Sequence, residues 1–297
     1  MTSYTELSTL ASCEKKWEYR YTGPKVDTPP SPAMVKGTLL HGGTNSFWRE
    51  GTYIVGLEEA WGEVATQYDP SPYFEAYADA EWLLERYSRV YGDLTRNAEV
   101  ESVEKELTAR LPCGEKLKGY VDRFIIINGQ RWLVETKSMA DWSRLDLMTV
   151  DPQLTLYYWL AQENGLEPYG ILFDAIRTYR WKPEKPTQAQ VLETAPEHIL
   201  ALKKTEQREW ARAAVELHPG VERPDGESFQ QLWIDRTPEQ VETALGWAGA
   251  VLGRRDALTS YARPIRNIGP FCKGCAFKDQ CFDEFAFPEQ TIELVME

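Results

Sequence analysis

In the run GYVDRFIIINGQRWLVETKS, Asp122, Glu135 and Lys137 are the residues whose types and spacing could do chemistry. Asn128 and Gly129 are a favoured pair for a two-residue hairpin turn between two β-rich runs. Counting outward from that turn sets Ile127 against Gln130 and Asp122 against Glu135. Strand side chains alternate, so Lys137 emerges on the face of Glu135 while Val134 and Thr136 point the other way. Two carboxylates facing each other across a ladder repel, and burying them unpaired costs more. Lys137 can neutralise one of them, and a hard divalent ion bound by oxygens, Mg2+ or Mn2+, would use both. The lysine would then orient, or help deprotonate, a water attacking phosphorus while the metal polarises the phosphoryl oxygen. The other reading of these residues is a surface hairpin with a charged outer face.

Other elements must join that hairpin. DPQLTLYYWLAQENG reads as a helix with Asp151 as cap, Pro152 at its first position and Gly165 after its last turn. Gln153 and Tyr157 share one face of it, and Gln153 lies in the first turn, where backbone N–H groups favour an anion. VKGTLLHGGTNSFW puts His41 in a helical segment among glycines. SPYFEAYADAEWLLERYSRVYG has helical spacing, as has TPEQVETALGWAGAVLGRRDAL, where Thr237, Pro238 and Gln240 form a capping box. PEHILALKKTEQREWARAAVELHPG reads as one long helix stopped at Pro219 and Gly220. Strands fall between Val100 and Phe173, interrupted by the Asp151 helix. The expectation is an α/β chain in which helices surround a short central sheet. Residues 1–99 form an N-terminal helical part, 100–180 the sheet core with the Gln153/Tyr157 helix, and 181–297 a C-terminal helical part, all in one domain.

At 297 residues the chain is long enough for a sizeable core. It has no run of 18 apolar residues, and its N-terminus is polar, so it reads as cytoplasmic, with no membrane span and no secretory signal. With 46 acidic against 33 basic residues and a net charge of -13, indiscriminate coating of DNA is disfavoured, and a DNA-binding surface would have to be local. Candidate cations are Lys15, Lys16, Arg20 and Lys25; Arg177, Arg180 and Lys182; and Arg263, Arg266, Lys273 and Lys278. Several stand beside aromatics (Trp17, Tyr19, Tyr179, Trp181, Phe271, Phe277), as in a groove for a single strand. A Walker-type GxxxxGK followed by Ser or Thr is absent, so this chain would not itself unwind DNA with ATP.

Of five cysteines, Cys272, Cys275 and Cys281 form a C-x2-C-x5-C group, Cys13 is the natural fourth thiolate, and Cys113 is left over. In a cytoplasmic chain such a set suggests a metal more than disulfides, and spacing leaves zinc and an iron–sulphur cluster both open.

The ordered set GTLLH (37–41), GYVDRF, VETK and QLTLY resembles the RecB-like branch of the PD-(D/E)XK nuclease superfamily over most of the chain. The resemblance implies a restriction-endonuclease-like core, a central mixed sheet flanked by helices, and Mg2+- or Mn2+-dependent DNA hydrolysis. It implies His41, Asp122, Glu135 and the Thr136 carbonyl as metal ligands and Lys137 as the residue positioning the water. Gln153 and Tyr157 would support the site and hold the DNA backbone, and an upstream glutamate would contribute, Glu106 being preferred to Glu104. The family's proline before the first aspartate is replaced by Val121. Cys13, Cys272, Cys275 and Cys281 match the subset in which a 4Fe-4S cluster joins the ends of the chain, as in AddB-type nuclease domains, exonuclease V and CRISPR-associated iron–sulphur exonucleases. The resulting expectation is a DNA exonuclease for single strands or frayed ends, working beside a helicase or recombination complex. The alternatives are an endonuclease or end-processing subunit, and a catalytically silent DNA-binding module.

Overall fold

A computed structural model describes residues 1–24, 29–179, 184–220 and 224–284. The chain begins with β1 (Thr2–Ser3), α1 (Tyr4–Ser12), α2 (Glu14–Tyr21), α3 (Pro32–Glu50), α4 (Ile54–Gln67) and α5 (Phe74–Arg96). Then come β2 (Glu99–Arg110), β3 (Lys116–Ile127), β4 (Gln130–Met139), α6 (Pro152–Glu163) and β5 (Gly170–Arg177). The C-terminal part holds α7 (Gln188–Glu193), α8 (Glu197–Leu200), α9 (Lys204–Leu217), β6 (Phe229–Ile234), α10 (Pro238–Ser260) and α11 (Lys278–Asp283).

Two features differ from expectation. The long helix after Pro196 is broken: α8 ends at Leu200, and α9 starts afresh where the Glu206 side chain accepts the Lys203 N–H at 3.0 Å. That contact satisfies an amide at a new helix start, which a continuous helix would not leave open. The supposedly helical C-terminal part also contributes β6, which pairs antiparallel with β5.

The sheet runs β1-β3-β4-β5-β6, with β2 on the other edge of β3. It is mixed: β4–β5 and β1–β3 are parallel, and the remaining pairs are antiparallel. α6 makes the crossover from β4 to β5, and β5 is buried from Gly170 to Ile176, as a strand covered on both faces must be. One core packs α1, α6 and α10 against Leu117, Val121, Leu133, Ile171 and Phe173. A second packs α3, α4 and α5 against Ile125, Val134, Leu172 and Ile176.

The hairpin has the register counted from its turn. Asn128 and Gly129 both have positive φ, 52° and 77°, and Ile127 lies opposite Gln130. The β3–β4 ladder then stops at the Arg123–Val134 pair, while β1 takes up the same edge of β3 only at Leu117 and Lys118. Between them the edge lies open at Asp122. Val121 and Phe124 are an odd number of residues apart yet belong to the same core, so side-chain alternation also breaks across Asp122. Opposite, on β2, Glu104 takes a φ of 49°.

Beside His41, Gly42 lets α3 cross α4 closely: a Cβ there would lie 2.5 Å from the Gly56 carbonyl oxygen.

The ends of the described chain are held together by polar contacts. Arg254 grips Glu14 at 2.6 and 2.9 Å, and Glu14 also accepts the Ile265 N–H at 2.8 Å. Asn267 donates to the Ser12 carbonyl at 2.9 Å, the Lys15 N–H donates to Ile265 at 3.2 Å, and Lys15 pairs with Glu284 at 2.9 Å. The expectation that zinc or a 4Fe-4S cluster joins the ends is corrected. Cys13, Cys272, Cys275 and Cys281 do border one cavity of about 50 Å³, and all are free thiols. Among the described residues, however, no three His, Cys, Asp or Glu side chains form a group able to hold a metal ion. Lys16, Arg266 and Lys278 line the same cavity, Cys272 turns its thiol to the Asn267 carbonyl at 3.9 Å, and Arg266 contacts Cys281.

Candidate active site

Asp122, where β3 parts from β4, accepts the Thr136 backbone N–H at 2.7 Å and faces His41 Nδ1 at 3.4 Å. Burial works against charge on both. The Asp122 carboxylate nevertheless outweighs burial at His41 and raises its pKa. In return His41, then Arg123 and the Thr136 N–H, hold Asp122 below the ordinary aspartate range. Each group of the pair thus favours the charged form of the other.

On β4, Glu135 is 2% exposed and its Oε1 is engaged by Lys137 Nζ at 2.6 Å and by Gln153 Nε2 at 3.2 Å. Its Oε2 is buried without a hydrogen-bond partner among the described residues. Burial, then the nearby Asp122 charge, pushes its pKa up to about 7 against the pull of Lys137. At Lys137 burial would lower the pKa, but Glu135 outweighs it and raises the pKa to about 12, so the lysine stays a cation at neutral pH.

α6 brings Gln153 and Tyr157 to the site. The Asp151 carboxylate caps its first turn, accepting the Gln153 and Leu154 N–H groups at 2.7 and 3.3 Å. One turn on, the Tyr157 ring lies against Gly119, where a Cβ would come within 2.7 Å of Cε1. Burial, with Glu135 adding to it, raises the Tyr157 hydroxyl to about 12, so it remains a neutral donor.

His41, Asp122, Glu135, Lys137, Gln153 and Tyr157 therefore come together. Glu106 pairs with Tyr120, two positions along β3 from Asp122, on an exposed surface where the Tyr120 hydroxyl donates to it and Lys118 stands 3.8 Å off. Glu104 instead lines a cleft of about 540 Å³ with His41 and accepts from Asn45 Nδ2 at 3.1 Å. Its positive φ leaves no mark in the sequence; the register of β2 on β3, which runs through a loop without a standard two-residue turn, is what would have shown it. Lys25, Arg180, Trp181 and Lys182 of the anticipated DNA track lie outside the described residues. Lys15 and Arg266 are engaged with Glu284.

The carboxylates already have partners within the chain: Lys137 at Glu135 and His41 at Asp122. Thr136 turns its N–H to Asp122 and its hydroxyl receives Arg123. With no three-member His, Cys, Asp or Glu group among the described residues, the side chains as placed do not fit the expected Mg2+ or Mn2+, and that expectation is corrected.

A mixed sheet with helices on both faces, and a strand pair opening around an Asp and a Glu–x–Lys, define a restriction-endonuclease-like protein. A family model for the PD-(D/E)XK nuclease superfamily matches residues 1–282, and the chain belongs to that superfamily. Among solved structures, a candidate exonuclease from Eubacterium rectale matches at a TM-score of 0.57 with 14% identity, over 98% of this chain and 90% of its own. SSO0001 matches at a TM-score of 0.35 with 16% identity, over 94% of this chain and 95% of its own. No curated protein matches. Among the described residues, no helix is long and apolar enough to cross a membrane.

Proposed function

We propose that this chain hydrolyses phosphodiester bonds of DNA and acts on single strands or free ends, in the manner of the RecB-like branch. The observation that carries the reading is the Glu135–Lys137 pair at 2.6 Å, in which the carboxylate is buried and the lysine reaches solvent. A carboxyl near pH 7 with one unengaged oxygen is suited to take a proton from water, whereas a lysine raised to about 12 serves as a fixed cation and not as a base. In the reaction the water oxygen bonds to phosphorus, one water proton passes to Glu135, and the bond from phosphorus to the leaving oxygen breaks. Lys137 offsets the charge developing on the phosphoryl oxygens, and the leaving oxygen takes a proton from solvent. Gln153 and Tyr157, one turn apart at the start of α6, hold the flanking backbone with their side chains. Asp122 and His41 close the other side of the site.

The test is incubation with 5′- and 3′-labelled linear single-stranded, duplex and circular DNA, in EDTA, in Mg2+ and in Mn2+, so that the cation requirement is itself measured. Linear single strands are expected to be shortened stepwise, and Lys137→Ala to lose on the order of 100-fold in rate. Equal, negligible degradation by wild type and variant in every condition would sink the reading. Opening of circular DNA as fast as linear DNA is lost would make the chain an endonuclease.

A further inference from the structure

Behind the site, on the face of the sheet covered by α3 and α5, lies a buried polar cluster. Arg123 and Asp174 have 0% side-chain exposure and pair at 3.7 Å. Arg123 Nη1 donates to Asn45 Oδ1 at 2.5 Å and to Thr44 Oγ1 at 3.4 Å, and Nη2 donates to the Thr136 hydroxyl. Asp174 in turn accepts from the Tyr87 hydroxyl and from Gln231 Nε2 at 3.3 Å. Tyr87 is itself held by Trp48 Nε1 at 2.8 Å.

A buried ion pair of this kind adds little net stability, since desolvating two charges costs about as much as their attraction returns. Its placement is more telling. Two of the groups that Arg123 holds adjoin site residues, and so does Arg123: Asn45 is one turn beyond His41 on α3, Thr136 lies between Glu135 and Lys137, and Arg123 itself follows Asp122. Asn45 also reaches Glu104 from its amide nitrogen. The open ladder around Asp122 leaves these elements without the backbone pairing that would otherwise fix their spacing.

We propose that Arg123 is a positioning residue: anchored by Asp174, its guanidinium clamps α3 to β4 through Asn45 and Thr136 and sets the distance between the His41–Asp122 and Glu135–Lys137 halves of the site. The role in cleavage rests on the nuclease reading above; the clamp does not. A planar fork of donors can span two partners in fixed directions, which a lysine cannot.

The experiment compares wild type with the double variant Arg123→Met/Asp174→Leu, which removes both buried charges and leaves neither unpaired. Thermal midpoint, single-turnover cleavage, DNA affinity and the 13C-histidine NMR signals are measured on the full chain. The expectation is a midpoint within about 5 °C of wild type. The cleavage rate should fall about 10- to 100-fold with DNA affinity changed less than about threefold. The His41 signal should move, while those of His198 and His218 stay. A folded double variant with wild-type rate and an unmoved His41 signal overturns the proposal, as does a rate loss matched by lost affinity. If the double variant does not fold, the near-isosteric Thr136→Val is read by the same criteria. If wild type cleaves no DNA, the proposed function fails, and the His41 signal alone decides the clamp.

Discussion

Asp122 Oδ2 accepts the Thr136 backbone N–H at 2.7 Å at the point where β3 and β4 have ceased to pair. The carboxylate thus substitutes for a missing rung of the ladder while its charge acts on His41 and Glu135. These two jobs separate in Asp122→Asn, whose amide oxygen can still accept the Thr136 N–H. Because Asp122 raises both pKa values, the variant should lower those of His41 and Glu135. Histidine NMR titration checks the first, and cleavage should drop about 100-fold if the ionised carboxylate takes part.

Glu135→Gln should stabilise the protein at the expense of activity. Burial and Asp122 lift Glu135 to about 7, so between the ordinary glutamate range and that value the folded state binds more protons than the unfolded. Stability therefore falls as pH rises through this window. Glutamine mimics the neutral carboxyl, and the gain, on the order of 3 kcal/mol above pH 7, should vanish on acidification below the ordinary glutamate range. Urea unfolding at a series of pH values measures it; a variant less stable than wild type at pH 8 would contradict it.

Gly119→Ala should damage both stability and cleavage. The added methyl would meet the Tyr157 ring at 2.7 Å and Leu160 at 3.0 Å, on a helix whose first turn carries Gln153. Overpacking of this kind costs about 1–3 kcal/mol. Displacement of α6 should be read as weakened Gln153 support of Glu135, with the cleavage rate lost more than the melting temperature alone would explain.

Glu14→Gln should loosen the C-terminal segment against α2. The carboxylate receives Arg254 in a fork and the Ile265 N–H, and those contacts hold it below the ordinary glutamate range. The stabilisation is present above the ordinary value and disappears as pH falls through the lowered one. Allowing for solvent screening of the half-exposed Arg254, the loss should be about 1 kcal/mol at neutral pH. Limited proteolysis after Ser260 at pH 7 and at a series of pH values below the ordinary glutamate range compares the two proteins, and the difference should narrow as pH falls.

The local signals in the sequence were strong wherever backbone chemistry is short-ranged. Asn128–Gly129 gave the hairpin register, Asp151 with Pro152 gave α6, and Thr237 with Gln240 gave the start of α10. What escaped depended on distant partners. β6, with Gln230 and Gln231 at its centre, becomes a strand only because β5 offers an edge. Glu104 comes to the cleft through a positive φ and the register of β2, neither marked by residue type. The cysteine spacing suggested a metal staple, but the forces joining the ends are carried by Glu14, Arg254, Asn267 and Lys15, each of which looks like an ordinary surface residue in the sequence. The buried Arg123–Asp174 pair was equally invisible, since an arginine in a strand is ordinarily an exposed one.

The open edge of β3 also bears on when the chain becomes competent. The hairpin is local and can form early, but Asp122 has no histidine beside it until α3 docks, and Glu135 has no glutamine until α6 crosses over to β5. A partly folded chain would therefore hold its carboxylates without the groups that tune them. The six side chains of the site share one surface only once every layer of the fold is in place.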